Sequence, residues 1–219
     1  MCKGLFFIFI FFLEGCFFSQ TVPAQNIVGV LSKIIENEFM SMDQVNMTNN
    51  SNSVDCSNMA VDSRFNFKGY DYVVVSDKTI KNQVNLQKLT DGHVRFCTSH
   101  VIDMTDLFSG NIYFNQDISD WDVSNVTNMS YMFNGLVDFD QDISDWDVSS
   151  VFNFNNMFSG ALSFSHSLSS WEANGIFSKE AMKDMFFETN YYCNNIIDWI
   201  DELDFFSDIK DLREVTSCI

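Results

Sequence analysis

Two stretches, FNQDISDWDVSNVTNMSYMFNG (114–135) and FDQDISDWDVSSVFNFNNMFSG (139–160), align without a gap at a spacing of 25 residues. The register extends outward from them. Trp121, Trp146 and Trp171 keep the same spacing, as do Phe114, Phe139 and Phe164, then Phe108, Phe133 and Phe158, then Gly110, Gly135 and Gly160. A degenerate third copy starts at Phe164. A fourth ends at Trp199, 28 residues after Trp171, with Tyr192, Ile196 and Trp199 in matching places. Upstream, Phe96, Val101, Met104 and Phe108 fit an incomplete copy, with Phe96 where Trp would stand. A fixed period of about 20–50 residues marks chains that bury their apolar faces by stacking neighbours.

The apolar spacing within one copy predicts its backbone. Ile118-x-x-Trp121-x-Val123 has the spacing of a leucine-rich-repeat strand, with Trp121 and Val123 on one face. Val126, Met129, Met132 and Phe133 then follow at helical spacing, with Ser124 or Thr127 as cap and Gly135 as terminator. The expected fold is an α/β repeat: a short leucine-rich-repeat-like solenoid, one short strand plus one short helix per 25-residue turn, with N- and C-terminal caps. Its core would be Phe108, Ile118, Trp121, Val123, Val126, Met129, Phe133, Ile143, Trp146, Val148, Phe158 and Trp171. The three Trp residues are expected to be buried, and so not an adhesive stripe.

These strings resemble the repeat of the BspA-like leucine-rich-repeat family of bacterial surface proteins (domain of unknown function 285). The run from Phe114 to Ser119 with Trp121 to Ser124 is an almost complete copy of its consensus. The resemblance is clear over 93–175 and weak over 176–199. It implies a secreted or cell-surface protein, often a lipoprotein, with suggested roles in adhesion or host contact, and does not imply an enzyme.

Residues 1–24 read as a secretory signal peptide. Lys3 gives a positive start, Leu5 to Leu13 is apolar, and Val22-Pro23-Ala24 places short residues before a cleavage at Gln25. Leu13-Glu14-Gly15-Cys16 offers a competing lipoprotein processing at Cys16, with an acid in a place that is normally apolar. Beyond residue 24 four cysteines remain, Cys56, Cys97, Cys193 and Cys218. An even number in an exported chain favours disulfides. Three pairings are open, and Cys56–Cys97 with Cys193–Cys218 keeps each bond within one end.

The flanks read as caps: 25–92 before the array (93–199, clear copies 101–175, degenerate copy 176–199) and 200–219 after it. Residues 26–43 carry a helical stripe, 44–58 an Asn/Ser-rich loop, Phe65 to Val75 a strand, and Lys78 to Leu89 a helix. Ile197, Ile200, Leu203, Phe206, Ile209 and Leu212 suggest an amphipathic helix over 195–215.

The chain has 219 residues, 30 acids against 12 Lys plus Arg, and a net charge of −18. Residues 96–178 hold 11 acids and no Lys or Arg. Nucleic acid is excluded as a partner, because phosphate binding needs a basic face. The partner would be a protein or glycan surface, cationic, neutral or bridged by calcium, with a membrane contact only through lipidation.

Asp117, Asp120 and Asp122 recur as Asp142, Asp145 and Asp147. This acidic row either forms a calcium site or, as expected here, bonds the backbone amides of its own turns. No cofactor is implied. No catalytic motif occurs, and His166 stands where Gln116 and Gln141 stand in the other copies. The sequons at Asn46, Asn49, Asn125 and Asn128 are incidental. The function expected is a non-enzymatic binding or adhesion module. A structural spacer is the alternative, and a carboxylate-dependent glycan hydrolase a more remote one.

Overall fold

The computed structural model describes residues 46–47, 52–172, 178–195 and 209–219. The chain divides into two compact units, Met1–Met40 and Ser41–Ile219. All described residues lie in the second, so the signal peptide and the stripe over 26–43 fall outside them. Among the described residues no helix is long and apolar enough to cross a membrane.

The short strands β1 (Asn46–Met47) and β2 (Val54–Asp55) pair antiparallel, so the expected loop over 44–58 contains a small hairpin. The expected strand from Phe65 to Val75 is also a hairpin, β3 (Arg64–Phe67) and β4 (Tyr70–Ser76). It turns at Lys68 and Gly69, whose φ values are 51° and 87°. A two-residue turn with both φ positive matches the twist of the flanking strands. The helix expected over 78–89 is two, α1 (Asp77–Ile80) and α2 (Gln83–Thr90), split where the Asn82 side chain caps the second. Strand β5 (Arg95–His100) then pairs parallel with β4, giving the sheet order β3-β4-β5. Helix α3 (Ile209–Thr216) lies at the other end. Of the helix expected over 195–215, residues 196–208 lie outside the description.

The predicted solenoid is overturned. The described residues have a small three-stranded mixed sheet and few helices, and no repeating strand–helix architecture. Between His100 and Lys179 they contain turns and the isolated bridges Asp103–Asn128 and Asn128–Asn153, with no named strand or helix.

Two causes can be named. Where strands were expected, aspartate side chains cap tight turns and Trp121 N–H donates to the Ile118 carbonyl, which uses groups a ladder would need. Where helices were expected, Asp106, Tyr131 and Asn156 have φ of 56°, 59° and 54°. A left-handed residue in the middle of a helical run ends it.

The apolar residues are nevertheless packed face to face. Phe108, Phe133, Phe158 and Phe186 form one column, with centroid separations of 6.0, 5.4 and 5.6 Å. Phe114, Phe139, Phe164 and Tyr191 form a second, at 6.4, 5.9 and 5.5 Å. The ring at the end of the second column is Tyr191. Tyr192, which the sequence spacing pointed to, is 61% exposed. Phe96, Trp121 and Trp146 stack at 6.1 and 6.3 Å.

Backbone bonds follow the columns. The amides of Phe108, Phe133, Phe158 and Phe186 donate to the carbonyls of Met132, Met157, Met185 and Thr216. Gly110, Gly135 and Gly160 lie beside this seam with φ of 75°, 72° and 74°, and a Cβ on Gly160 would meet Gly135 Cα at 3.4 Å. A Cβ on Gly110 would meet nothing within 4 Å.

Gly110→Ala should therefore lose about 1–2 kcal/mol from the left-handed backbone alone. Gly160→Ala should lose a similar amount, because the added methyl meets the Gly135 backbone at van der Waals distance. Urea unfolding of the two variants checks this, and a much larger loss for Gly160→Ala would show that the neighbouring backbone cannot accept the methyl.

Candidate interaction surface

The core candidates Phe108, Ile118, Trp121, Val123, Val126, Met129, Phe133, Ile143, Trp146, Val148, Phe158 and Trp171 are each at most 3% exposed. The indole N–H groups of Trp146 and Trp171 donate to the carbonyls of Ile118 and Ile143 at 3.2 and 3.0 Å. This satisfies a polar atom that burial would otherwise leave unpaired. The three Trp residues are thus packing residues.

Most of the acidic row is occupied locally. Asp117, Asp122, Asp142 and Asp147 each accept the N–H and O–H of the serine two residues on (Ser119, Ser124, Ser144 and Ser149), with hydroxyl distances of 2.6–2.7 Å. Asp145 accepts from the Asn52 amide at 3.2 Å. Asp142 is held below the usual carboxylate range, first by the Ser144 hydroxyl and then by the Ser144 amide. For Asp117 burial works upward. The Ser119 hydroxyl and the Arg95 guanidinium outweigh it, and the carboxyl is lowered. Among the described residues no group of three His, Cys, Asp or Glu could hold a metal ion.

Asp120 is tied differently, through a residue the sequence reading passed over. Arg95, on β5, bridges Asp120 at 2.7 Å and Asp117 at 2.8 Å, and its guanidinium lies 4.2 Å from the Tyr70 ring centre. The Tyr72 hydroxyl donates to the same Asp120 oxygen. The other Asp120 oxygen, Oδ1, is buried and has no hydrogen-bond partner among the described residues. Burial and the bond to Asp120 both push the Tyr72 hydroxyl upward. Beside this cluster is a cavity of about 160 Å³ whose lining includes Asp71, His93, Gln116 and Asp117. Asp71 accepts from Asn66, so neither lining carboxylate is free of a partner.

Gln116, Gln141 and His166 occupy one structural role. Each side chain reaches a backbone carbonyl 26 residues earlier, on Thr90, Asn115 and Asp140. Asn125 donates to the Ser99 carbonyl, and Asn128 accepts from the Ser130 amide. The side chains of Asn46 and Asn49 lie outside the description, as does Cys16. Cys56 is disulfide-bonded to Cys97, and Cys193 to Cys218. The first bond fastens the segment before it to β5, where the Val54 amide donates to the Asp120 carbonyl.

A second feature went unnoticed in the sequence although its spacing is the same. Ile112, Val137 and Leu162 are 42, 38 and 45% exposed, and Tyr113 beside the first is 78% exposed. Each lies two residues before a buried phenylalanine.

Replacing Arg95 with Met leaves the largely buried Asp120 without its counter-charge, and should cost about 3 kcal/mol in urea unfolding. Adding Asp120→Asn to that variant should restore part of the loss.

Lowered carboxyl pKa values stabilise the fold above the unfolded value of about 3.9 and lose that contribution as pH falls through the folded value. The melting temperature should therefore stay level from about pH 7 to 5 and drop below about pH 4. Asp117→Asn with Asp142→Asn should flatten that drop, as scanning calorimetry at stepped pH would show.

No curated protein and no solved structure matches the chain. One family model does, over residues 77–199, which is more than half of the 219 residues. Its description is "Mycoplasma protein of unknown function, DUF285". The chain belongs to the DUF285 family.

Proposed function

We propose that the protein is an exported, surface-associated binding module of the BspA-like kind, with no catalytic activity of its own. One observation carries the reading. The aspartates of the repeated turns are engaged by their own serines and by Arg95, whereas apolar side chains at equivalent positions stand in solvent above a stack of buried rings. Exposed apolar groups on adjoining stretches build the kind of patch that marks a contact surface. A pure spacer has no need of them.

Three further features agree. The almost complete BspA-like consensus from Phe114 to Ser124 associates the chain with surface proteins. Disulfides formed by buried cysteines suit an oxidising compartment outside the cytosol. The apolar run from Leu5 to Leu13 behind Lys3 suits export.

Two measurements test the reading together. Mass spectrometry of the mature chain should find an N-terminus at Gln25 or a lipidated Cys16. An intact, unprocessed chain retained in the cytosol would overturn export. A glycan and protein binding array should return at least one saturable ligand, and silence across a broad panel would favour the spacer.

A further inference from the structure

We infer that the edge bearing Ile112, Val137 and Leu162 is a docking surface for a cationic amphipathic protein helix, an inference that rests on the binding-module reading above. Backbone and side-chain amides bring the stretches that carry the three residues beside one another. The Asp138 amide donates to the Ile112 carbonyl at 3.3 Å, the Ser163 amide to the Val137 carbonyl at 3.2 Å, and the Asn190 side-chain amide to the Leu162 carbonyl at 3.3 Å. Tyr113 extends the apolar surface beside Ile112. Behind the row, Phe114, Phe139 and Phe164 stack at 6.4 and 5.9 Å. That stack sets a step of about 6 Å between successive stretches along the edge.

The step suits a helical partner. Residues four apart on a helix rise about 6 Å, so one apolar stripe can place successive side chains opposite Ile112, Val137 and Leu162. The rim selects its charge. Asp138 and Asp140 are exposed on the same edge, and His166 approaches Asp140 at 3.5 Å and Asp142 at 4.0 Å. No Lys or Arg occurs between residues 96 and 178. Basic side chains flanking the apolar stripe of a helix would find carboxylates to face. A second copy of this chain would bring acid against acid, and an anionic bilayer would be repelled.

The test uses the processed full chain and a labelled 18-residue helix-forming peptide of Leu and Lys, followed by fluorescence anisotropy. A scrambled peptide of equal charge and a Glu-for-Lys peptide serve as controls. The Leu/Lys helix should bind, weaken steeply with salt, and outbind the scrambled peptide by about tenfold or more, with the Glu peptide silent. Ile112→Ser with Val137→Ser and Leu162→Ser should weaken binding about tenfold. Asp138→Asn with Asp140→Asn should weaken it and flatten its salt dependence.

Because all five positions are exposed, near-UV circular dichroism should match the parent. Should the triple variant unfold, Val137→Lys alone serves, with the same loss expected. Equal binding by the scrambled peptide, no binding by the Leu/Lys helix, or binding unchanged in the folded variants would each overturn the inference. If the array returns a ligand that these variants bind undiminished, the docking surface falls and the binding module stands. If both array and helix are silent, both fall.

Discussion

The stacking of large rings, Phe108 on Phe133 on Phe158 on Phe186, is the contact on which the rest of this structure depends. Named strands and helices are absent from the described residues between 101 and 172, so ordinary secondary structure does not hold this part together. The rings supply apolar area, and their regular separation keeps successive stretches at a distance where backbone amides reach backbone carbonyls. Burial thus positions the hydrogen bonds, and the bonds in turn prevent the stretches from sliding. Neither would suffice alone, because an irregular backbone buried without partners would leave many polar groups unsatisfied.

The aspartates solve a related problem. A tight turn leaves amides pointing away from any ladder. Asp117, Asp122, Asp142 and Asp147 each satisfy one with a carboxylate oxygen and take a serine hydroxyl as well. The high acid content of the region is therefore partly a structural device. Arg95 does the same work across a longer distance, joining β5 to the first of these turns through Asp117 and Asp120.

The sequence was informative where side-chain identity decides the outcome, and silent where backbone conformation does. Water drives Trp121 or Phe133 inward whatever path the chain takes, so a fixed spacing of such residues says which will meet. It does not say how the chain travels between them. The spacing of Ile118, Trp121 and Val123 suits a strand, but it suits a chain of aspartate-capped turns equally well. Tyr131 in the left-handed region leaves no trace in composition, since tyrosine rarely adopts it. The end of the second aromatic column fell on Tyr191 because the insertion after Phe164 is shorter than the one read from Trp199. Arg95 could have been picked out as the last cation before a long acidic run. The exposed row at Ile112 was legible in the same period as the Trp residues, hidden only by the habit of looking for apolar residues inside.

The cation-free run also governs how the molecule is dismantled. A protease of tryptic specificity cuts after Lys or Arg, and between Arg95 and Lys179 it finds neither. The first of these two bonds follows a side chain clasped by two carboxylates and a tyrosine ring. Even a fully unfolded chain would release this span in one piece, still fastened through Cys97 to Cys56. Against a protease of this specificity, the absence of basic residues from the span is a form of persistence that does not depend on the fold at all.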